Sequence, residues 1–146
     1  MSQYLNIYVR SKDTGAFTRI YVGNFWRRVH DSFGYVPYEK VRLVTETELS
    51  VNIDGLDEQI GVLRDEIASY ENFIKEIGTW NNSIEEKIQA MEDERNLIDN
   101  AKDDIDELQL VRNFLWTLRC LDIDGGLYVG LECGGSITDA DIEQKT

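Results

Sequence analysis

Residues 56–77 read LDEQIGVLRDEIASYENFIKEI. Leu56, Ile60, Leu63, Ile67, Tyr70, Ile74 and Ile77 fall at steps of 4, 3, 4, 3, 4 and 3. That is the a/d seam of a coiled coil, with its 3.5-residue period. Asp54 is placed to cap the helix, Asp57 and Glu58 suit the positive end of its dipole, and Gly78 suits the residue just past its end. A turn follows, Gly78-Thr79-Trp80-Asn81-Asn82. Ser83-Ile84-Glu85-Glu86 is then a capping box that starts a second helix. Folding residues 84–105 back on 56–77 gives an antiparallel coiled-coil hairpin.

The second seam is less regular. It begins Ile84, Ile88, Met91, meets Arg95 where an apolar residue is expected, and continues through Ile98. After Ile98 the phase slips to Ala101, Ile105, Leu108, Val111, Leu115, Leu118 and Leu121. Pairing outward from the turn sets Ile77 near Ile84 and Leu56 near Ile105. The hairpin then spans roughly 33 Å at about 1.5 Å per residue. A two-helix seam is thin, so a homodimer that buries more of the helices is expected.

The flanking segments have a different period. Leu5, Ile7 and Val9 alternate with Tyr4, Asn6, Tyr8 and Arg10; Phe17, Arg19 and Tyr21 alternate with Thr18, Ile20 and Val22; and Lys12-Asp13-Thr14-Gly15 between them reads as a hairpin turn. Val41, Leu43, Thr45, Thr47, Leu49, Val51 and Ile53 also keep period 2. Their β-branched content favours a strand over the rival reading, a helix starting at Thr45 with Glu48 as capping partner. Asn24–Phe33 reads as a short helix ended by Gly34, and Leu127–Cys133 as a last strand. The expected fold is α+β: a small, mainly antiparallel sheet of about four strands, a short helix and an inserted long helical hairpin. One domain is expected over 1–133, comprising a β-rich module (1–53), the hairpin (54–121) and a closing strand (127–133). Residues 134–146 read as a disordered acidic tail.

Charge divides the chain. Residues 1–46 hold seven Lys/Arg against four acids; residues 47–146 hold eight against twenty-four, and the whole carries −13. Charge of one sign on this scale steers toward basic partners and away from nucleic acid. Glu92, Asp93, Asp99, Asp103, Asp104, Asp106 and Glu107 stand outside the second seam, with few cations at i+4 to offset them. Like charges at that spacing each cost a few tenths of a kcal/mol, roughly. A purely supporting helix could have used Glu–Lys pairs. Carboxylates along a rod imitate a phosphate backbone, which carries one charge per ~1.7 Å of duplex. In size and charge, though not in any motif, the chain resembles the small acidic inhibitors of mobile elements and phages. The leading expectation is therefore a non-catalytic protein that inhibits a nucleic-acid-binding protein by occupying its basic surface. The bland alternative is a solvated acidic face that only keeps the chain soluble.

A second candidate site is the face holding Tyr8, Arg10, Phe17, Arg19 and Tyr21, with Arg27, Arg28 and His30 of the short helix nearby. Rings with guanidinium groups stack bases and hold phosphates, so a small nucleotide-like anion is the ligand expected there. The opposing reading has that face covered by the short helix or by residues 108–121. Trp80, at the hairpin tip, either closes the seam on Ile77 and Ile84 or anchors a partner. A structural subunit of a larger assembly is a third reading.

Catalytic signals fail on context. Asp13-Thr14-Gly15 matches the aspartic-protease triplet but sits in a turn. Asp122-Ile123-Asp124-Gly125 resembles the start of a calcium loop, yet its twelfth position is Cys133. His30 is the single histidine, and no phosphate loop is present. Cys120 and Cys133 form no zinc or disulfide pattern and read as reduced thiols. No enzyme, metal or cofactor is expected. With no leader and no membrane-length apolar run, the expectation is a cytoplasmic protein.

Overall fold

The computed structural model describes residues 4–23, 32–121 and 124–143. These divide into two compact units. One comprises the chain up to Ile53 together with Leu115 onward; the other is Asp54–Phe114. No helix among the described residues is long and apolar enough to cross a membrane.

The first unit is built on a four-stranded antiparallel sheet of order β2-β1-β4-β3, from β1 (Leu5–Arg10), β2 (Phe17–Gly23), β3 (Arg42–Val44) and β4 (Leu127–Leu131). The β1–β2 turn closes as expected. Ser11 N–H donates to the Ala16 carbonyl at 2.9 Å, and Gly15 takes the left-handed φ of 72° that this turn needs. Leu5, Ile7 and Val9 pair with Leu131, Val129 and Leu127 on one face. The other face carries Tyr8 and Tyr128, which cluster with Val41. Gly130 admits a close crossing, because a Cβ there would collide with the Lys40 carbonyl.

Two long helices follow β3: α1 (Glu46–Ile77) and α2 (Ile84–Cys120). The described residues thus form a four-stranded antiparallel sheet plus two long helices, a mixed α+β fold. The strand expected over 41–53 is corrected to Arg42–Val44. Thr45 caps α1 instead of Asp54, its Oγ1 accepting the Glu48 N–H at 3.1 Å. Two patterns competed over this stretch. Leu49 and Ile53 satisfy period 2, but they also extend the 4-3 steps of Leu56 and Ile60, and all four are buried. Val51, inward-facing in the strand reading, is exposed. Arg42 holds β3 to the first turn of α1. Its guanidinium donates to both Glu48 carboxylate oxygens at 2.8 Å and to the Phe33 and Tyr35 carbonyls at 2.7 and 2.6 Å. Arg119, in the last turn of α2, lies 3.7 Å from Glu46.

The tail expected to be disordered is ordered over its described residues, 134–143. It forms a strap ending in a 3₁₀ turn, Asp139–Asp141, capped by Thr138. Val41 N–H donates to the Asp141 carbonyl at 2.9 Å, and Glu143 N–H to the Val41 carbonyl at 2.8 Å. Tyr35 Oη donates to Glu143 Oε1 at 2.6 Å. The expected short helix lies outside the described residues over 24–31, as do Arg27, Arg28 and His30. Asp122 and Ile123 lie outside them too.

Candidate functional site

The aromatic and arginine face of the sheet is closed over Tyr8 and half-closed over Arg10 and Phe17, while Arg19 stays exposed. Tyr8 is fully buried, and its hydroxyl donates to the Gly134 carbonyl at 2.6 Å. Burial, reinforced by the Cys133 thiol nearby, pushes that hydroxyl up to about 12. Arg10 is ion-paired to Asp139 of the strap. Its Nε donates to the Gly15 carbonyl at 3.2 Å, and its guanidinium lies 4.8 Å above the centre of the Phe17 ring. Phe17 meets Tyr128 edge-on at 5.1 Å. Cys133 donates to the Lys40 carbonyl at 3.4 Å, and burial pushes its thiol up to about 11. Among the described residues, the cover on this face is the strap. Ile137 and Ile142 pack there beside Phe17 and Cys133.

One residue of the expected set leaves the face. β1 and β2 pair Tyr8 with Arg19 but Ile7 with Tyr21, so Ile20 is an extra residue on β2. Such a bulge reverses the alternation beyond it. Arg19 and Phe17 stay beside Tyr8 and Arg10, while Tyr21 turns to the side of Ile7. Arg19 Nη1 reaches Asn6 Oδ1 at 3.5 Å. The arrangement offers an ion-paired Arg10, an exposed Arg19, a buried phenol and a buried thiol.

An open depression of about 400 Å³ lies at the β1–β2 rim, lined by Val9, Arg10, Ser11, Thr18, Ile20, Leu121 and Asp124. Asp124 is engaged there, accepting the Lys12 N–H at 3.1 Å. Among the described residues no three His, Cys, Asp or Glu side chains converge to hold a metal ion.

The helical unit is charged instead. Residues 54–114 hold seventeen acids and six Lys/Arg, a net −11. Their apolar positions are graded by depth. Leu56, Ile60, Ile77, Ile98, Ala101, Leu108 and Val111 are buried, and Leu63, Ile67, Tyr70, Ile74, Met91 and Ile105 are half-buried. Opposite the buried positions of α2, Glu85, Glu92, Asp99 and Asp106 repeat every seven residues, all exposed, with exposed Asp103 beside them. Four of the seven acids expected to bind a partner (Glu92, Asp99, Asp103 and Asp106) thus share one stripe. Asp93 and Glu107 are rotated about a quarter turn from it, and Asp93 accepts a bond from Gln89 at 3.1 Å. Asp104 is half-buried on the flank. Glu85 completes the stripe. Its signal, the seven-residue step back from Glu92, was present in the sequence.

The tip also departs from expectation. Trp80 is 37% exposed and packs edge-on against Phe73 at 5.8 Å. Ile84 and Ile88 are 75% and 51% exposed, so neither sits in the seam where the sequence placed it. Met91 Cε lies 3.8 Å from where a Gly78 Cβ would stand, and Arg112 Nε lies 3.0 Å from Asp57 Oδ1. Ile77 therefore ends near the level of Met91 rather than Ile84. Seen from there, Met91, Glu94, Ile98, Ala101, Ile105 and Leu108 keep 3-4 steps without interruption. Glu94 occupies the phase that had been assigned to Arg95.

No known family model matches the chain, and no curated protein or solved structure matches it significantly.

Proposed function

We propose that this chain is a non-catalytic interaction protein. Its two long helices form an antiparallel coiled-coil hairpin, and the acidic stripe of α2 engages the basic, nucleic-acid-binding surface of another protein and inhibits it by occupancy. The hairpin reading rests on register. Gly78 to Asp57 and Met91 to Arg112 are both 21 residues, so two contacts far apart agree on one antiparallel alignment. The binding reading is carried by one observation, the exposed heptad repeat Glu85, Glu92, Asp99 and Asp106 opposite the buried positions.

Magnitude separates this from a merely soluble face. Residues 54–114 carry the net −11 between them, and residues 84–114, about 46 Å as helix, set the length of the rod, so both helices together carry about one net charge per 4 Å. One strand of DNA carries one per ~3.4 Å, so the rod resembles a single phosphate strand in density. Fixed, one-signed charge of that density attracts basic surfaces over roughly a Debye length, ~8–10 Å at ordinary salt.

The test begins with a basic protein captured from host lysate by the full chain. Capture that is released by salt, together with loss of that protein's nucleic-acid binding when the chain is added, is the expected result. Capture indifferent to salt, or undiminished nucleic-acid binding, contradicts the proposal. Self-association through the same helices is read by light scattering, where a strictly monomeric mass at micromolar concentration rejects it.

A further inference from the structure

α2 begins well before α1 has anything to set against it. Gly78, the first residue past α1, stands at the level of Met91, so residues 84–90 form two turns of α2 with no length of α1 alongside. The apolar pattern does not stop there. Ile84 is one heptad before Met91 and continues the buried side; Ile88, one turn after Ile84, lies on its flank, at the heptad position of exposed Arg95 and Lys102. The exposures of Ile84 and Ile88, 75% and 51%, show that the turn 78–83 does not cover them. Trp80 and Phe73, each more than a third exposed, lie in the same unit at the end of α1 and the start of the turn.

We propose that this overhang is the seat for an amphipathic basic helix of the partner protein, which takes the place beside α2 that α1 leaves empty. The seat calls for two apolar residues at i and i+3 or i+4, the pattern by which a helix enters an apolar groove. Charge selects the sign of the rest. Residues 71–92 carry five acids (Glu71, Glu76, Glu85, Glu86 and Glu92) against Lys75 and Lys87. Lys87 is turned inward, its Nζ donating to the Gly78 carbonyl at 3.3 Å. A second copy would bring the same acidic rim, on a unit of −11, against this one. A basic helix meets the rim with opposite charge. The assignment of a basic partner rests on the acidic-inhibitor reading above; the location of the apolar seat does not.

The test uses the full chain and a labelled 14-residue peptide with leucine at the first and fourth positions of two heptads and lysine elsewhere. The controls are a peptide of the same composition with the leucines scattered, and a patterned peptide with glutamate for lysine. Wild type is expected to bind the patterned basic peptide about tenfold or more tighter than the scattered one, the scale of burying one large apolar side chain. Ile84→Ser/Ile88→Ser, at exposed positions, is expected to erase that preference and keep the weaker, salt-sensitive binding of both basic peptides. Equal binding of patterned and scattered peptides, or a preference that survives in the double variant, overturns the seat while leaving the acidic reading standing. Binding of both basic peptides unchanged by Glu92→Lys/Asp99→Lys/Asp103→Lys/Asp106→Lys overturns the acidic reading instead. Equal affinity for the glutamate peptide overturns the basic assignment. A wild-type dimer that Ile84→Ser/Ile88→Ser converts to monomer gives the seat to a second copy and overturns the proposal.

Discussion

The sheet unit and the helical unit handle charge in opposite ways. In the sheet unit Arg10 and Arg42 are both bonded inward, Arg10 to Asp139 and Gly15 and Arg42 to Glu48, Phe33 and Tyr35. Their charge holds strap and helix to strand. In the helical unit most acids stand outside the buried positions, and a seven-residue repeat of them faces water. Folding therefore uses Arg10 and Arg42 of the first unit locally, while the seven-residue acidic repeat of the second faces water. The units also differ in depth of packing. Ile7, Val41 and Val129 are fully buried, whereas much of the α1 seam is only half-buried.

Four changes would break or sharpen that contrast. The largest effect is expected from Gly130→Val, since its Cβ would meet the Lys40 backbone rather than a movable side chain. Loss of the folded sheet unit, several kcal/mol at about the scale of a severe core defect, is expected in denaturant melts. A melt like wild type would mean the crossing is not there. Next, Ile7→Ala should cost about 2–5 kcal/mol, and Ile67→Ala, on the half-buried seam, about 1 kcal/mol. Equal costs would erase the difference in packing.

Third, the strap predicts a thiol contrast and a pH dependence. Cys120 is exposed, while Cys133 is held under the strap with its thiol pushed from 9.0 up to about 11 by burial. Alkylation near pH 8 should label Cys120 first and Cys133 slowly; fast labelling of Cys133 would show the strap unseated. Because folding raises this pKa, the associated stability is complete below about 9 and is lost as pH rises toward 11. A melt that improves with pH across that window would contradict the burial. The smallest effect on stability is expected from the stripe. Glu92→Lys/Asp99→Lys/Asp103→Lys/Asp106→Lys should shift the melt by no more than about 1 kcal/mol, because exposed charges interact weakly. A larger loss would make the stripe structural.

Features that depend on local period were legible in the sequence: the β1–β2 hairpin, β4 through Leu131, the helix from Leu56 to Ile77 and the helix start at Ser83. What escaped depends on distant or single-residue effects. The strap is fastened by Tyr8 to a glycine carbonyl and by Arg10 to Asp139, partners over 120 residues apart, and neither contact leaves a periodic trace. The bulge at Ile20 is one extra residue with no compositional mark, yet it moved Tyr21 off the expected site. The start of α1 was ambiguous because residues 49 and 53 fit both periods; the Thr45–Glu48 capping pair decides it. The slip in α2 came from taking Ile88 and Arg95 as steps of the pattern. From Met91 onward the steps through Glu94, Ile98, Ala101, Ile105 and Leu108 are continuous. Of the candidate site, the acidic character and four stripe residues were readable; cover on the sheet face was weighed, but not from residues 134–143, which read as a disordered tail.

The central claim is that the stripe is the partner surface. The most direct measurement is capture from host lysate by the full chain and by Glu92→Lys/Asp99→Lys/Asp103→Lys/Asp106→Lys, side by side, at low and high salt. The account predicts a basic, nucleic-acid-binding protein that wild type retains at low salt, loses at high salt, and that the variant never retains. The same protein held equally by both chains at both salts would contradict it.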